Sequence, residues 1–170
     1  IGHNQYLGWS HTVNSPDLVD VYKLTINKHN ENQYWFEGYW KDFEVRTAAI
    51  KVKIVGPFSW TFNRQVKTSI HGPVIEFPHG SYALRISSLK DLRFIEQWYR
   101  MGKARNITEF KEAMKIHAIP MFNTGYADRD GILYYIYNAK IPKRDPRYEW
   151  NKILPGESKQ TLWYEYIPFE

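Results

Sequence analysis

The chain has 170 residues, a length typical of one domain, and its 43% hydrophobic and 17% aromatic residues are enough to build a core and exclude a disordered tail. Its net charge is +5, but the 23 Lys and Arg are scattered, without a long basic run or an RNA-binding or zinc-finger pattern, so no nucleic-acid partner is expected. Cysteine is absent, which excludes disulfides, thiolate metal sites and a Cys nucleophile, and no apolar stretch is long enough to span a membrane.

Residues 3–13 alternate polar and aromatic side chains as a strand does, and Asn14 to Pro16 has the chemistry of a turn. Val19 to Ile26 reads as a strand, Asn27 to Asn32 as a polar turn, and Tyr34 to Phe36 and Glu44 to Val55 as further strands, the last broken by Gly56-Pro57. Short strands are predicted at Val66 to Ile70 and Val74 to Phe77, around His71-Gly72-Pro73, and at Tyr82 to Ile86.

The period then changes. Ser88 with Asp91 has the form of a helix start, with Leu92, Ile95 and Tyr99 on one face, Trp98 beside them and Gly102 near the end. Asn106 with Glu109 offers a second cap, and Phe110, Ala113 and Met114 are spaced for a short second helix. Ile119 to Ala127 and Ile132 to Tyr137 read as a hairpin around Asp128-Arg129-Asp130-Gly131, followed by a turn-rich tail. The fold class is α+β, strand-dominated, with an inserted helical pair. The reading is one fragment over 1–170, with 27–120 as a compact subdomain and 121–170 as hairpin and irregular tail. Both ends, Ile1-Gly2-His3-Asn4 without Met and Phe169-Glu170, are expected to continue into a longer protein.

The residues alone point to little chemistry. The six His (His3, His11, His29, His71, His79 and His117) form no HExxH, and there is no GxSxG elbow, GxGxxG or P-loop. Asp17-Leu18-Val19-Asp20 offers two carboxylates and a carbonyl to a hard cation such as Ca²⁺, or merely a solvated strand start. The aromatic content fits packed strands or an apolar cleft. Trp35, Trp40, Trp60 and Trp163 could instead serve a non-catalytic carbohydrate-binding module.

An ordered series of motifs carries more. Gly2-His3-Asn4 leads to Trp9-Ser10-His11-Thr12-Val13-Asn14, then to Asp17-Leu18-Val19-Asp20-Val21-Tyr22, Ser69-Ile70-His71-Gly72-Pro73-Val74 and Trp98-Tyr99-Arg100-Met101. Asn123-Thr124-Gly125-Tyr126-Ala127-Asp128, Ile141-Pro142-Lys143-Arg144 and Leu154-Pro155-Gly156 with Trp163 follow. In order and spacing this series resembles the penicillin acylase (penicillin amidase) family of N-terminal nucleophile hydrolases. Trp9 to Val13, Gln97-Trp98-Tyr99 and Ile119-Pro120 with Asn123-Thr124 look closer to the aculeacin and acyl-homoserine lactone acylases than to penicillin G acylases.

The resemblance implies part of an αββα fold with two antiparallel sheets between helical layers, in a precursor that cuts itself into α and β chains. The nucleophile would be the β chain's N-terminal Ser, with its own α-amine as base. The Val13 backbone N–H would be one oxyanion donor, and a distant Asn the other. His11, Trp98 and Phe122 match positions lining the acyl pocket. Asp17, Asp20 and the carbonyls of Val19 and Pro146 match a structural calcium site, and no organic cofactor is expected.

The nucleophilic Ser is expected upstream of Ile1 and the oxyanion Asn downstream of Glu170, which leaves the isolated chain inactive. Its partners would be the remaining α and β segments of its precursor and a small acyl amide, with self-association where excision uncovers surface. The family's location is periplasmic or secreted. A medium or long fatty acyl group is the expected substrate, rather than phenylacetyl.

Overall fold

The computed structural model describes residues 1–169. In chain order its strands and helices are β1 (Gly2–His3), β2 (Leu7–Thr12), β3 (Val19–Leu24), β4 (Ile26–Asn27), β5 (Asn30–Phe36), β6 (Tyr39–Asp42), β7 (Glu44–Val55), β8 (Phe58–Thr68), β9 (Val74–Phe77) and β10 (Gly80–Ile86). After these come α1 (Phe94–Lys103), α2 (Ile107–Met114), β11 (Met121–Asp128), β12 (Leu133–Ala139) and β13 (Leu154–Pro155), then a short 3-10 turn at Lys159–Thr161. The α+β class with an inserted helical pair is what the structure shows.

The chain divides into two compact units. One comprises residues 1–18, 87–143 and the stretch from Tyr164, and the other comprises 19–86 and 144–163. The stretch 27–120 does not stand apart, because it draws on both units. The division follows strand pairing: β10 is bonded to β3 along its length, Ile86 opposite Val19 and Ser81 opposite Leu24, which ties 80–86 to the chain's early part.

In the first unit β1, β2, β11 and β12 form an antiparallel sheet. Side chains alternate across a strand, so Leu7, Trp9 and His11 share one face of β2, and Phe122, Thr124 and Tyr126 share one face of β11. A core of Leu7, Met101, Phe110, Met114, Ile119 and Tyr126 joins that sheet to α1 and α2. Asn106 caps α2 as its sequence predicts, its side-chain oxygen accepting from the Glu109 N–H at 2.9 Å.

Helix α1 departs from the sequence reading. It begins at Phe94, and Ser88 holds a positive φ of 61°, which no helix start tolerates. The Leu92, Ile95 and Tyr99 stripe is 75%, 66% and 65% exposed, while Gln97 and Met101 are buried. The Gln97 carboxamide oxygen accepts the N–H groups of Ala118 (2.8 Å) and Ile119 (3.0 Å), donors in the bend after α2. The helix still buries apolar surface on that side, Phe94 and Trp98 packing on the core beside Met101.

The second unit holds the sheet β13-β3-β10-β9, the three-stranded sheet β4-β5-β6, and β7 paired with β8 alone. One pair corrects the expectation of purely antiparallel sheets: β13 runs parallel to β3, with Leu154 opposite Tyr22. The predicted turn at Asn27 to Asn32 is tighter than expected, since β5 already starts at Asn30. The predicted strand at Val66 to Ile70 is the end of the longer β8. Tyr22, Leu24, Tyr34, Phe36, Phe43, Ala83 and Leu154 make this unit's core.

His71 belongs to that core rather than to a reactive site. Its ring stacks on Tyr22 with centroids 4.3 Å apart, and Nε2 lies 2.9 Å from the Gly156 carbonyl. A carbonyl only accepts, so Nε2 carries the proton. Burial pushes the His71 pKa down to about 4, against the bond to Gly156. The folded ring is therefore neutral where the unfolded ring, titrating near 6.5, already binds a proton. In the window from about pH 6.5 down to about 4 the unfolded state binds more protons, so stability falls with pH there. Urea unfolding of wild type near pH 7 and near pH 5 should show the loss, and His71→Leu should remove that part of the pH slope. A slope unchanged by the substitution would assign the effect elsewhere.

Candidate functional site

The chemistry gathers at the end of the first unit's sheet where β2 stops and β11 begins. Register places His11 opposite Thr124, on the face that looks toward α1. Trp98 reaches His11 from α1, its indole N–H donating to Nε2 at 3.0 Å. An indole N–H can only donate, so Nε2 keeps its lone pair in that bond and the neutral ring's proton sits on Nδ1. Nδ1 lies 3.0 Å from Thr124 Oγ1 and 3.4 Å from the Asn123 carbonyl. Burial lowers the His11 pKa, against the pull of the Asn123 carbonyl. A neutral imidazole whose lone pair is already engaged is no general base. His11 instead contributes a flat, fixed ring.

Other rings complete a wall around it. Phe122 stacks on His11 (5.4 Å between centroids, 22° between planes), and Trp9 packs at 4.9 Å. Phe94 meets Trp98 edge-on at 5.6 Å. The structure thus brings together the three positions matched to an acyl pocket, His11, Trp98 and Phe122. Val13 follows the last residue of β2 and is 71% exposed.

Trp98→Phe keeps the ring but removes the donor to His11. We expect a loss of about 1 kcal/mol in denaturant stability and a rise of the His11 pKa toward its ordinary value, read by NMR titration of the imidazole. An unmoved titration would show that burial alone sets it.

Sequence reading gave Asn14 only a turn, and the structure gives its side chain longer-range partners. Its side chain is buried, with Nδ2 donating to the Asn138 carbonyl at 3.0 Å and Oδ1 accepting from the Phe122 N–H at 2.9 Å. No sequence signal marks it, since a lone Asn before a turn usually serves its own backbone. Asn123, by contrast, donates to Thr12 Oγ1 and accepts from the Tyr135 hydroxyl.

The residues matched to calcium are of mixed character. Asp17, Val19 and Pro146 are exposed, and Asp20 is buried. Asp20 Oδ2 accepts from Arg144 Nε (3.1 Å) and Trp163 Nε1 (2.5 Å). Among the described residues no three His, Asp or Glu side chains gather around a possible ion. Two carboxylates and two carbonyls are the right donors for a hard cation, but Ca²⁺ takes about 6–8 oxygens, and Arg144 already balances Asp20.

The aromatic set for carbohydrate binding is corrected at one member. Trp163 is buried, its ring under the Arg85 guanidinium at 4.5 Å, and cannot stack on a ligand. Trp35 packs edge-on against Trp40 at 5.0 Å, which leaves Trp60 as the most open of the four.

No helix among the described residues is long and apolar enough to cross a membrane. The family model for penicillin amidase matches residues 1–170. An acyl-homoserine lactone acylase, PvdQ, of Pseudomonas fluorescens (strain Pf0-1) is 29% identical over 181 residues, covering 96% of this chain and 23% of that protein. Aculeacin-A acylase of Actinoplanes utahensis is 26% identical over 151 residues, covering 84% and 19%. The thermostable penicillin G acylase from Alcaligenes faecalis superposes with a TM-score of 0.83 at 26% identity, over 98% of this chain and 30% of that one. The chain thus spans about a fifth of the curated relatives it matches. With a match over every residue and a shared fold, the chain belongs to the penicillin amidase family.

Proposed function

We propose that this chain is the portion of an amide hydrolase that walls the acyl pocket and supplies one oxyanion donor, in an enzyme that removes a medium or long fatty acyl group from an amide nitrogen. The observation that carries the reading is the wall of His11, Trp98 and Phe122, with Val13 two residues beyond His11. In this mechanism the attacked carbonyl oxygen gains charge as the tetrahedral intermediate forms. A backbone N–H from Val13 would hold that charge, most strongly once the rest of the enzyme and the substrate cover this exposed residue. The neutral, fully bonded His11 leaves proton transfer to another group. The α-amine of an N-terminal Ser, titrating near neutrality and lying outside these residues, fits that need.

An apolar wall favours long chains because each buried methylene contributes about 0.8 kcal/mol. The acyl-homoserine lactone and aculeacin-A acylases among the relatives support the same class. The remaining α and β segments of the precursor would supply the nucleophile and second oxyanion donor in a periplasmic or secreted enzyme. A calcium ion on Asp17, Asp20 and the carbonyls of Val19 and Pro146 would add stability rather than chemistry. Removal by chelator should then lower the melting temperature of the complete enzyme without changing its acyl preference.

The test is hydrolysis of decanoyl and phenylacetyl amides by the complete, self-processed enzyme. Faster decanoyl release supports the reading, a clear phenylacetyl preference rejects the long-chain assignment, and hydrolysis of neither rejects the acylase. Residues 1–170 alone should release no acyl group.

A further inference from the structure

Phe122 holds a backbone conformation that a phenylalanine rarely adopts. Its φ is +119°, in the region where a side chain is strained. Strand pairing shows what permits this. Phe122 lies opposite Asn138 in the β11–β12 ladder, and the Lys140 N–H donates to the Pro120 carbonyl at 2.8 Å. At this step of the ladder the Phe122 N–H donates to Asn14 Oδ1 at 2.9 Å, and Asn14 Nδ2 donates to the Asn138 carbonyl at 3.0 Å. The Asn14 carboxamide thus grips both strands at the Phe122–Asn138 pair.

We propose that Asn14 is a positioning residue for acyl-chain selectivity: by gripping the Phe122 N–H and the Asn138 carbonyl it holds Phe122 in its strained conformation and aims its ring at His11. Three features bear on this. Asn14 is buried, with both ends of its amide bonded, so its geometry is fixed. The Asn138 side chain is bound in turn, its Nδ2 donating to the Ile119 carbonyl at 3.0 Å, which anchors the strand that Asn14 grips. The chain also turns from the Val13 amide into Asn14, so one residue tethers the proposed oxyanion donor to the pocket wall. A carboxamide suits the place because it offers both a donor and an acceptor. A carboxylate would meet the Asn138 carbonyl with a second acceptor, and an aliphatic side chain would make neither bond.

The inference rests on the acyl-pocket reading above, and the experiment separates the two. In the complete, self-processed enzyme, kcat and KM would be measured along a ladder of acyl amides from butanoyl to tetradecanoyl, for wild type, Asn14→Ser, Asn14→Leu, Phe122→Ala, Phe122→Gly and Asn14→Ser/Phe122→Gly. If Phe122 walls the pocket, Phe122→Ala shifts the chain-length optimum; an unchanged profile overturns the pocket reading itself. If Asn14 acts through Phe122, Asn14→Ser raises KM for the preferred chain by about tenfold with little change in kcat, the sign of lost uniform binding, and flattens the profile. Glycine adopts positive φ without strain and has no ring to aim. Asn14→Ser should therefore add no further change of profile in the Phe122→Gly background. Should Asn14→Leu fail to fold or self-process, Asn14→Ser with the double substitution still decides. A shift with Phe122→Ala but none with Asn14→Ser, or full additivity in the double substitution, overturns the assignment to Asn14 alone.

Discussion

Gly72→Ala is expected to cost about 4 kcal/mol or more and to unfold the second unit under conditions where the wild type is stable. Two effects add. Gly72 has a φ of +140°, which any Cβ makes strained. A Cβ built there would stand 2.0 Å from the Leu84 carbonyl oxygen and 3.1 Å from its carbon. Those are backbone atoms in the middle of β10, held there as the Leu84 N–H donates to the Pro73 carbonyl at 2.9 Å, so they cannot move aside as a side-chain tip could. The turn itself is closed by reciprocal bonds between Ser69 and Gly72, at 2.8 and 3.1 Å. Gly102→Ala is the matched control. Nothing lies within 4 Å of its added carbon, and alanine in a helix should be neutral or stabilising by up to about 1 kcal/mol. Chemical denaturation of the two variants should separate them widely. Similar midpoints would show that β10 yields far more easily than a paired strand should.

Asp20→Ala should cost about 3–5 kcal/mol, the range for breaking a buried ion pair by removing one partner. The Asp20 side chain is fully buried and that of Arg144 is 12% exposed, with 3.1 Å between them. Removing the carboxylate takes an ion partner from a mostly buried guanidinium and an acceptor from the Trp163 indole. Neighbouring groups share the strain, since Arg85 stands opposite Asp20 in the β3–β10 ladder and donates twice to the Trp163 carbonyl. Asp20→Asn retains an acceptor oxygen and should lose less. Measured in chelator and again with added calcium, the same series distinguishes two roles for Asp20. An equal loss in both conditions places its value in the Arg144 and Trp163 contacts. A loss that appears only with calcium present would assign the stability to ion binding.

The sequence carried the ends of some elements well and the faces of others poorly. Strand β9 is found where its residues predict it, and β11 and β12 flank the Asp128 to Gly131 turn as the hairpin signal requires. Both cases are half-buried strands or strong turns, where alternation and glycine speak directly. Helix α1 misled because it carries a second apolar set, Phe94, Trp98 and Met101, and that side also brings Gln97 to two backbone N–H groups after α2. Strand β8 escaped notice over residues 58–65 because both its faces meet solvent, which leaves no alternation to read. The site shows the same limit. His11, Trp98 and Phe122 were legible through the family resemblance, but Asn14 depends on a strand 124 residues away, and no local pattern announces it.

The β7–β8 ribbon has a practical consequence at its tip. The turn at Gly56 is open on every side, with no atom within 4 Å of an added carbon, and the flanking Val55 and Phe58 are 67% and 69% exposed. The two strands return to neighbouring points, Glu44 opposite Thr68, so chain added at 56–57 alters no buried contact within this unit. Lengthening a flexible loop costs only about 0.6 kcal/mol per doubling. That tip is accordingly the place to graft an epitope tag, a fluorophore or a surface-attachment sequence.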